Sequence, residues 1–331
     1  MSLAIAFVLV AALTIYLLSG GADFGAGVWD LLASGPRKQA QRDAIERAIG
    51  PIWETNHIWL ILAVVVLFTA FPKAFAAYST AFHLPLTLFL VGIVLRGSAF
   101  VFRHALWEQP KPRKRWGLLF SSASVIAPVL LGIVIGGSAS GRVHFENGVV
   151  LPWMGPFAIS VGVLTLSICA LLAATYLAVE VDDEALRKDF ITRATGTAGM
   201  TALLAIVSFI LAAKEAPSFI SRLTGRPESM AMIAATFVLM VLGIVLMRRG
   251  RIAYARIAIA ASIVLVIGGW AVAQYPYLLA PDLTVQNAAA NPKTLKLAAI
   301  ALGAGSLLLF PSLYLLLRVF KGTRDGVIVD G

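Results

Sequence analysis

Charge is scarce in this chain. Only 13% of its 331 residues are Asp, Glu, Lys or Arg, where a soluble domain carries about 25%, and 59% are apolar, giving a mean hydropathy of +0.87. That balance excludes a soluble globular enzyme, and it excludes a disordered chain, which needs low hydrophobicity and high charge. Cysteine is nearly absent. Cys169 is the one thiol and lies in an apolar run, so there is neither a disulfide framework nor a CxxC redox or zinc motif. The chain has no P-loop and no GxSxG. Its four histidines, His57, His83, His104 and His144, fall near run ends or in connections, and no two stand three or four apart as a shared metal site on one helix requires.

What the sequence has instead is long apolar runs. A helix crosses the hydrocarbon core with about 20 apolar residues, and nine runs qualify: 2–22, 54–73, 78–97, 116–137, 156–179, 193–213, 230–247, 253–273 and 295–318. The expected fold is an all-α polytopic membrane protein forming a single integral domain. Two four-helix bundles (1–137 and 150–273) would be followed by a ninth helix (295–318). The first run has no basic leader and no cleavage site, so it reads as a retained helix rather than a signal peptide. No connection is long enough to be a soluble domain.

The net charge of +10 raises the question of nucleic acid. The distribution answers it. Nineteen Lys and Arg residues fall in the connections after the odd-numbered runs, seven on the other side, and Arg96 within the third run. That alternation is the positive-inside pattern, which puts the N-terminus outside and the C-terminus in the cytoplasm. Nucleic-acid binding would need one contiguous basic face. The alternation implies a multi-pass position in a membrane with a cytoplasmic face. After the first run, Ser34 and Pro36 open a stretch with Ala40, Ala44, Ile45 and Ala48 at helical spacing and an Asp43/Arg47 pair four apart. It predicts a short amphipathic helix on the cytoplasmic surface.

Ionisable residues within a span are costly and mark candidate sites. Asp23 follows 22 uncharged residues. The apolar stretch 58–71 is too short to span, so the second helix must start near Ile52, which draws Glu54 and Asn56 into the membrane. Arg96 lies about 18 residues along the third helix. Topology puts all three in the cytoplasmic third. One reading is a structural ion pair with a snorkelling arginine; the other is a proton-conducting or cofactor-adjacent site. Gly21 and Gly25 flank Asp23 at the small-xxx-small spacing that lets helices approach closely.

These residues resemble a known family. Residues 20–27 (GGADFGAG), 47–60 (RAIGPIWETNHIWL), 68–75 (FTAFPKAF) and 95–103 (LRGSAFVFR) resemble, in order, motifs of subunit II of the cytochrome bd-type quinol oxidases. The likeness is greatest to the shorter, cyanide-insensitive branch. Tyr275, Pro276, Tyr277, Pro281, Ala288 and Ala289 resemble the external segment before its last helix. The resemblance implies a chain that is not itself catalytic but stabilises a heme-bearing subunit I. That partner would ligate hemes b558, b595 and d, or a b-type replacement, and oxidise quinol at the outer face. Oxygen is reduced to water with cytoplasmic protons. Some members hold a structural quinone or a small accessory subunit; no metal or heme ligand is expected in this chain. Asp23, Glu54 and Arg96 match the family's acids and arginine, and the resemblance makes them a proton path. Trp53, Asn56, Trp59 and Arg103 match its supporting polar or cofactor-facing positions. Some members carry an acid where this chain has Val101, and His57 is not a family requirement. The alternatives are a secondary transporter or ion channel using the same three charges, and an assembly subunit with no proton role.

Overall fold

The structure is a computed structural model that describes residues 1–49, 53–106, 108–143 and 151–321. Its helices are α1 (Ser2–Leu31), α2 (Lys38–Ile49), α3 (Trp53–Ala70), α4 (Pro72–Ala81), α5 (His83–Ala105), α6 (Pro110–Ala139), α7 (Pro156–Glu180), α8 (Glu184–Glu215), α9 (Pro217–Gly225), α10 (Pro227–Arg248), α11 (Ile252–Gln274) and α12 (Pro292–Lys321). One antiparallel hairpin, β1 (Tyr277–Leu279) with β2 (Leu283–Thr284), precedes α12. Among the described residues, eight helices are long and apolar enough to span a membrane, or nine if α3 and α4 count as one bent span.

Proline sets several of the breaks. Pro72, Pro217 and Pro227 each stand at the first turn of a helix, where the missing N–H costs nothing. The run expected over 54–73 therefore does not cross as one rod. α3 stops at Ala70, Phe71 turns the chain, and α4 leaves at 116°. The hairpin closes over this elbow: Ala290 donates its N–H to the Ala70 carbonyl, and the Tyr78 hydroxyl donates to the Leu278 carbonyl. α9, which the sequence left as connection, is a second short helix of this kind. α1 runs on to Leu31, nine residues past the expected end, so Asp23 sits inside the helix rather than at its mouth.

α7 is the centre of the bundle. It packs against α1, α6, α8 and α11 and is 72% buried over its most apolar window, against 11% for α10 and none for α12. Its buried positions are mostly small (Cys169, Ala170, Ala173, Ala174, Ala178), which lets neighbours approach closely. α1 uses that space. A Cβ on Gly25 would lie 1.9 Å from the Cys169 carbonyl oxygen, so only hydrogen fits. One turn on, Trp29 Nε1 donates to the Ala170 carbonyl at 2.8 Å and fixes the rotation of α1. α2 is the expected amphipathic helix, burying Ala44 and Ile45. Asp43 accepts from Gln39 at 2.8 Å instead of pairing with Arg47.

Gly25→Ala should force α1 and α7 apart, at a cost of about 1–3 kcal/mol or more for overpacking. It should sharply lower the amount of assembled complex recovered from membranes. Gly196→Ala, with nothing within 4 Å of the added carbon, should assemble normally.

Candidate functional site

Four charged residues form a ladder between α1 and α5. Asp23 and Asp30 are seven apart on α1; Arg96 and Arg103 are seven apart on α5. Seven residues is two turns, about 10.5 Å, and returns to nearly the same face. The two helices run the same way, so the acids and arginines meet as two stacked rungs.

In the upper rung Arg96 Nη2 lies 2.5 Å from Asp23 Oδ1 and also donates to the Asp23 carbonyl at 3.4 Å, while Nε donates to Ser124 Oγ at 3.1 Å. Phe24 and Phe120 stack on the guanidinium with ring centroids 5.2 and 5.1 Å away. Arg96 is 1% exposed and Asp23 7%. Charges this deep persist only when compensated; breaking such a pair from one side costs about 3–5 kcal/mol. Asp23 Oδ2 accepts no hydrogen bond among the described residues.

In the lower rung Arg103 Nη1 lies 3.0 Å from Asp30 Oδ1, off the line of a hydrogen bond, so the attraction is ionic. Ser121 Oγ donates to Asp30 Oδ2 at 2.7 Å, and Arg42 from α2 donates to the Asp30 carbonyl. Arg103 also reaches Glu46 on α2 at 3.4 Å, and Glu46 meets Arg113 at 3.1 Å and the exposed His104 at 3.5 Å. The ladder thus runs from the solvent-exposed end of α5 to the Asp23 carboxylate. Gly27 makes room for it, since a Cβ there would strike Ser124 Cβ at 2.2 Å.

Beside the upper rung, the Tyr16 hydroxyl and both ring nitrogens of His57 are buried with no hydrogen-bond partner among the described residues. The two rings lie 6.2 Å apart. His57 opens into a 440 Å³ groove along α3 and α5, lined also by Ile93, Gly97, Ser98, Val101 and Phe102.

Asp23, Arg96 and Arg103 of the expected site are therefore together. Asn56 is buried on α3, and Trp59 packs with Tyr16 and Phe24. The side chains of Trp53 and Glu54 lie outside the described residues, as does His144. His83 is exposed, with Nδ1 3.4 Å from the Thr80 carbonyl. Among the described residues no three His, Cys, Asp or Glu side chains gather as a metal set. Sequence reasoning missed Asp30 and Glu46, because acids at helix ends are ordinary. The signal was present in the paired seven-residue spacings of acid on one helix and arginine on another.

A helical bundle of eight to nine candidate spans with a compensated charge ladder inside one end is a multi-pass membrane protein built around a buried polar layer. Residues 1–320 match the family of cytochrome bd terminal oxidase subunit II, and the chain belongs to that family. It is a subunit of a bd-type quinol oxidase, a bacterial respiratory complex of the membrane, which sets the transporter reading aside. The structure of bd oxidase from Geobacillus thermodenitrificans contains a similar chain: TM-score 0.78, 25% identity, covering 98% of this chain and 99% of that one. A Bacillus subtilis relative, likewise named after subunit II of a cytochrome bd oxidase, is 25% identical over 324 residues, 92% of this chain and 91% of its own length. Subunit 2 of the Escherichia coli cytochrome bd-I ubiquinol oxidase is 26% identical over 206 residues, 60% of this chain and 52% of that one.

Arg96→Met should leave Asp23 buried and unpaired and destabilise the subunit by about 3–5 kcal/mol, seen as a lower thermal-unfolding midpoint. Adding Asp23→Leu should recover much of that loss. Losses that simply add would show that the two side chains are not coupled.

Proposed function

We propose that this subunit delivers cytoplasmic protons toward the oxygen-reducing centre of its complex. The observation that carries the reading is the ladder itself, which leads from the exposed His104 through the carboxylates of Glu46, Asp30 and Asp23 into an otherwise apolar bundle. Intramembrane carboxylates in series are the usual material of proton relays. Arg96 fixes one carboxylate oxygen of Asp23 and leaves the other for a proton or a water. Arg103 does the same work of compensation one level down, where Ser121 Oγ holds Asp30 Oδ2. Glu54, on α3, is the second acid of the path. Tyr16 and His57 extend the polar line past Asp23 to the groove between α3 and α5. Buried polar groups without partners cost about 1–3 kcal/mol each, so water or a group of the partner subunit satisfies them in the assembled complex.

The partner is subunit I, which carries hemes b558, b595 and d, or a b-type replacement, and these supply the electron transfer from quinol to oxygen. This chain supports that chemistry without ligating a heme; it contributes a scaffold and proton-carrying side chains. The motifs at residues 20–27 and 47–60 support its placement in the cyanide-insensitive branch.

Glu54→Gln and Asp23→Asn remove a proton-carrying oxygen at nearly constant shape. Glu54→Gln should leave heme content per complex unchanged and slow quinol-driven oxygen uptake at least tenfold; Asp23→Asn also leaves Arg96 without its counter-charge, so it should lower the yield of complex and slow uptake as much in the complex that keeps its hemes. Full turnover with full heme content would overturn the proton role and leave an assembly subunit. A His57→Ala variant should keep every heme band.

A further inference from the structure

At the end of the bundle opposite the ladder, two arginines stand four apart around the end of α9 with no carboxylate within 4 Å among the described residues. Arg222 Nε donates to the Ala273 carbonyl at 2.7 Å. Arg226 donates to the Val272 carbonyl through Nη1 and to the Tyr275 carbonyl through Nη2 at 3.0 Å. Arg222 stacks over Tyr277 at 5.0 Å and Arg226 over Tyr275 at 5.8 Å. The bland account is that both cap the C-terminus of α11, but a helix end offers only about half a negative charge against two guanidiniums. The nearby acids do not make up the difference. Glu215 is engaged by Arg142 at 3.5 Å and by the Phe157 N–H, while Glu228 and Asp282 form no ion pair among the described residues.

Donors are also left over. Arg222 Nη2 and, one turn before the capped end, Trp270 Nε1 are buried without a partner among the described residues. Burial, and then the charge of Arg226, hold the Arg222 guanidinium below its usual pKa, which an anion would reverse. α9 itself buries Phe219 and packs Ile220 and Leu223 beneath it. It is an amphipathic helix between two spans, flanked by Trp270, Tyr275 and Tyr277 at the depth where aromatic belts meet lipid head groups.

We propose that Arg222, Arg226 and Trp270 bind the phosphate of a phospholipid head group in the outer leaflet. Two arginines and an indole N–H offer cationic and neutral donors to a phosphate oxyanion, and the apolar faces of α9 and α10 lie beside it for the acyl chains. The site is independent of the proton path.

The test is native mass spectrometry of the delipidated, assembled complex, titrated with phosphatidylglycerol, with diacylglycerol of the same chains, and with inorganic phosphate. One phosphatidylglycerol should bind saturably, diacylglycerol should not, and Arg222→Gln with Arg226→Gln should weaken binding at least tenfold. Arg251→Gln, in the turn at the opposite end, should change nothing. Since both arginines also cap α11, Trp270→Phe provides a gentler variant that removes only the N–H and should weaken binding about fivefold. Equal binding of diacylglycerol, or affinity unchanged in both arginine and tryptophan variants, overturns the proposal. Displacement by inorganic phosphate at matched concentration overturns the lipid assignment. A wild-type complex that takes up no phosphatidylglycerol, as when a carboxylate of the partner subunit fills the site, overturns it entirely.

Discussion

Arg96 is a guanidinium with almost no access to water, and much of the first half of the chain is arranged around that fact. Its charge is met by Asp23, its Nε by Ser124, and its two faces by Phe24 and Phe120. Each of these partners comes from a helix whose position is fixed by something else. α1 is held by Gly25 against the α7 backbone and by the Trp29 indole; α6 approaches α1 because Gly27 leaves room for Ser124. At an effective dielectric constant near 20, unit charges about 4 Å apart attract by about 4 kcal/mol, enough to offset desolvation only where the geometry is held this closely.

The same arrangement explains why the second rung exists. Asp30 and Arg103 are as buried as the rung above, but they share their charges with Arg42, Glu46 and Arg113 and tie the surface helix α2 to the spans. A lone buried pair would be an isolated cost. Two rungs joined to the surface through Glu46 and the exposed His104 spread that cost over several partners. The far end of the molecule is built differently: arginines there cap a helix and face aromatic rings, with no acids to meet them among the described residues.

Much of this was legible in the sequence because charge is so rare in it. Asp23 and Arg96 stood out from uncharged runs, and their shared depth followed from counting residues. The span count followed from hydropathy, and the amphipathic α2 from spacing. The elbow between α3 and α4 was less so: residues 54–73 read as one apolar run, and hydropathy is blind to the direction change that Pro72 permits. Asp30 was hidden for the opposite reason, since an acid near a helix end raises no question until the residue across from it is known. The pairing of Tyr16 with His57 and the orphan donors of Arg222 and Trp270 are products of tertiary packing between distant segments, which no local pattern reports.

The central claim is that the carboxylates of the proposed path, Asp23 and Glu54 among them, exchange protons during oxygen reduction. Infrared difference spectra of the assembled complex, reduced minus oxidised, test it most directly, recorded for the wild type, Asp23→Asn and Glu54→Gln in light and heavy water. The account predicts a carboxyl band that shifts with deuterium and is lost or displaced in each variant while the heme bands persist. Identical carboxyl bands in all three proteins would contradict it.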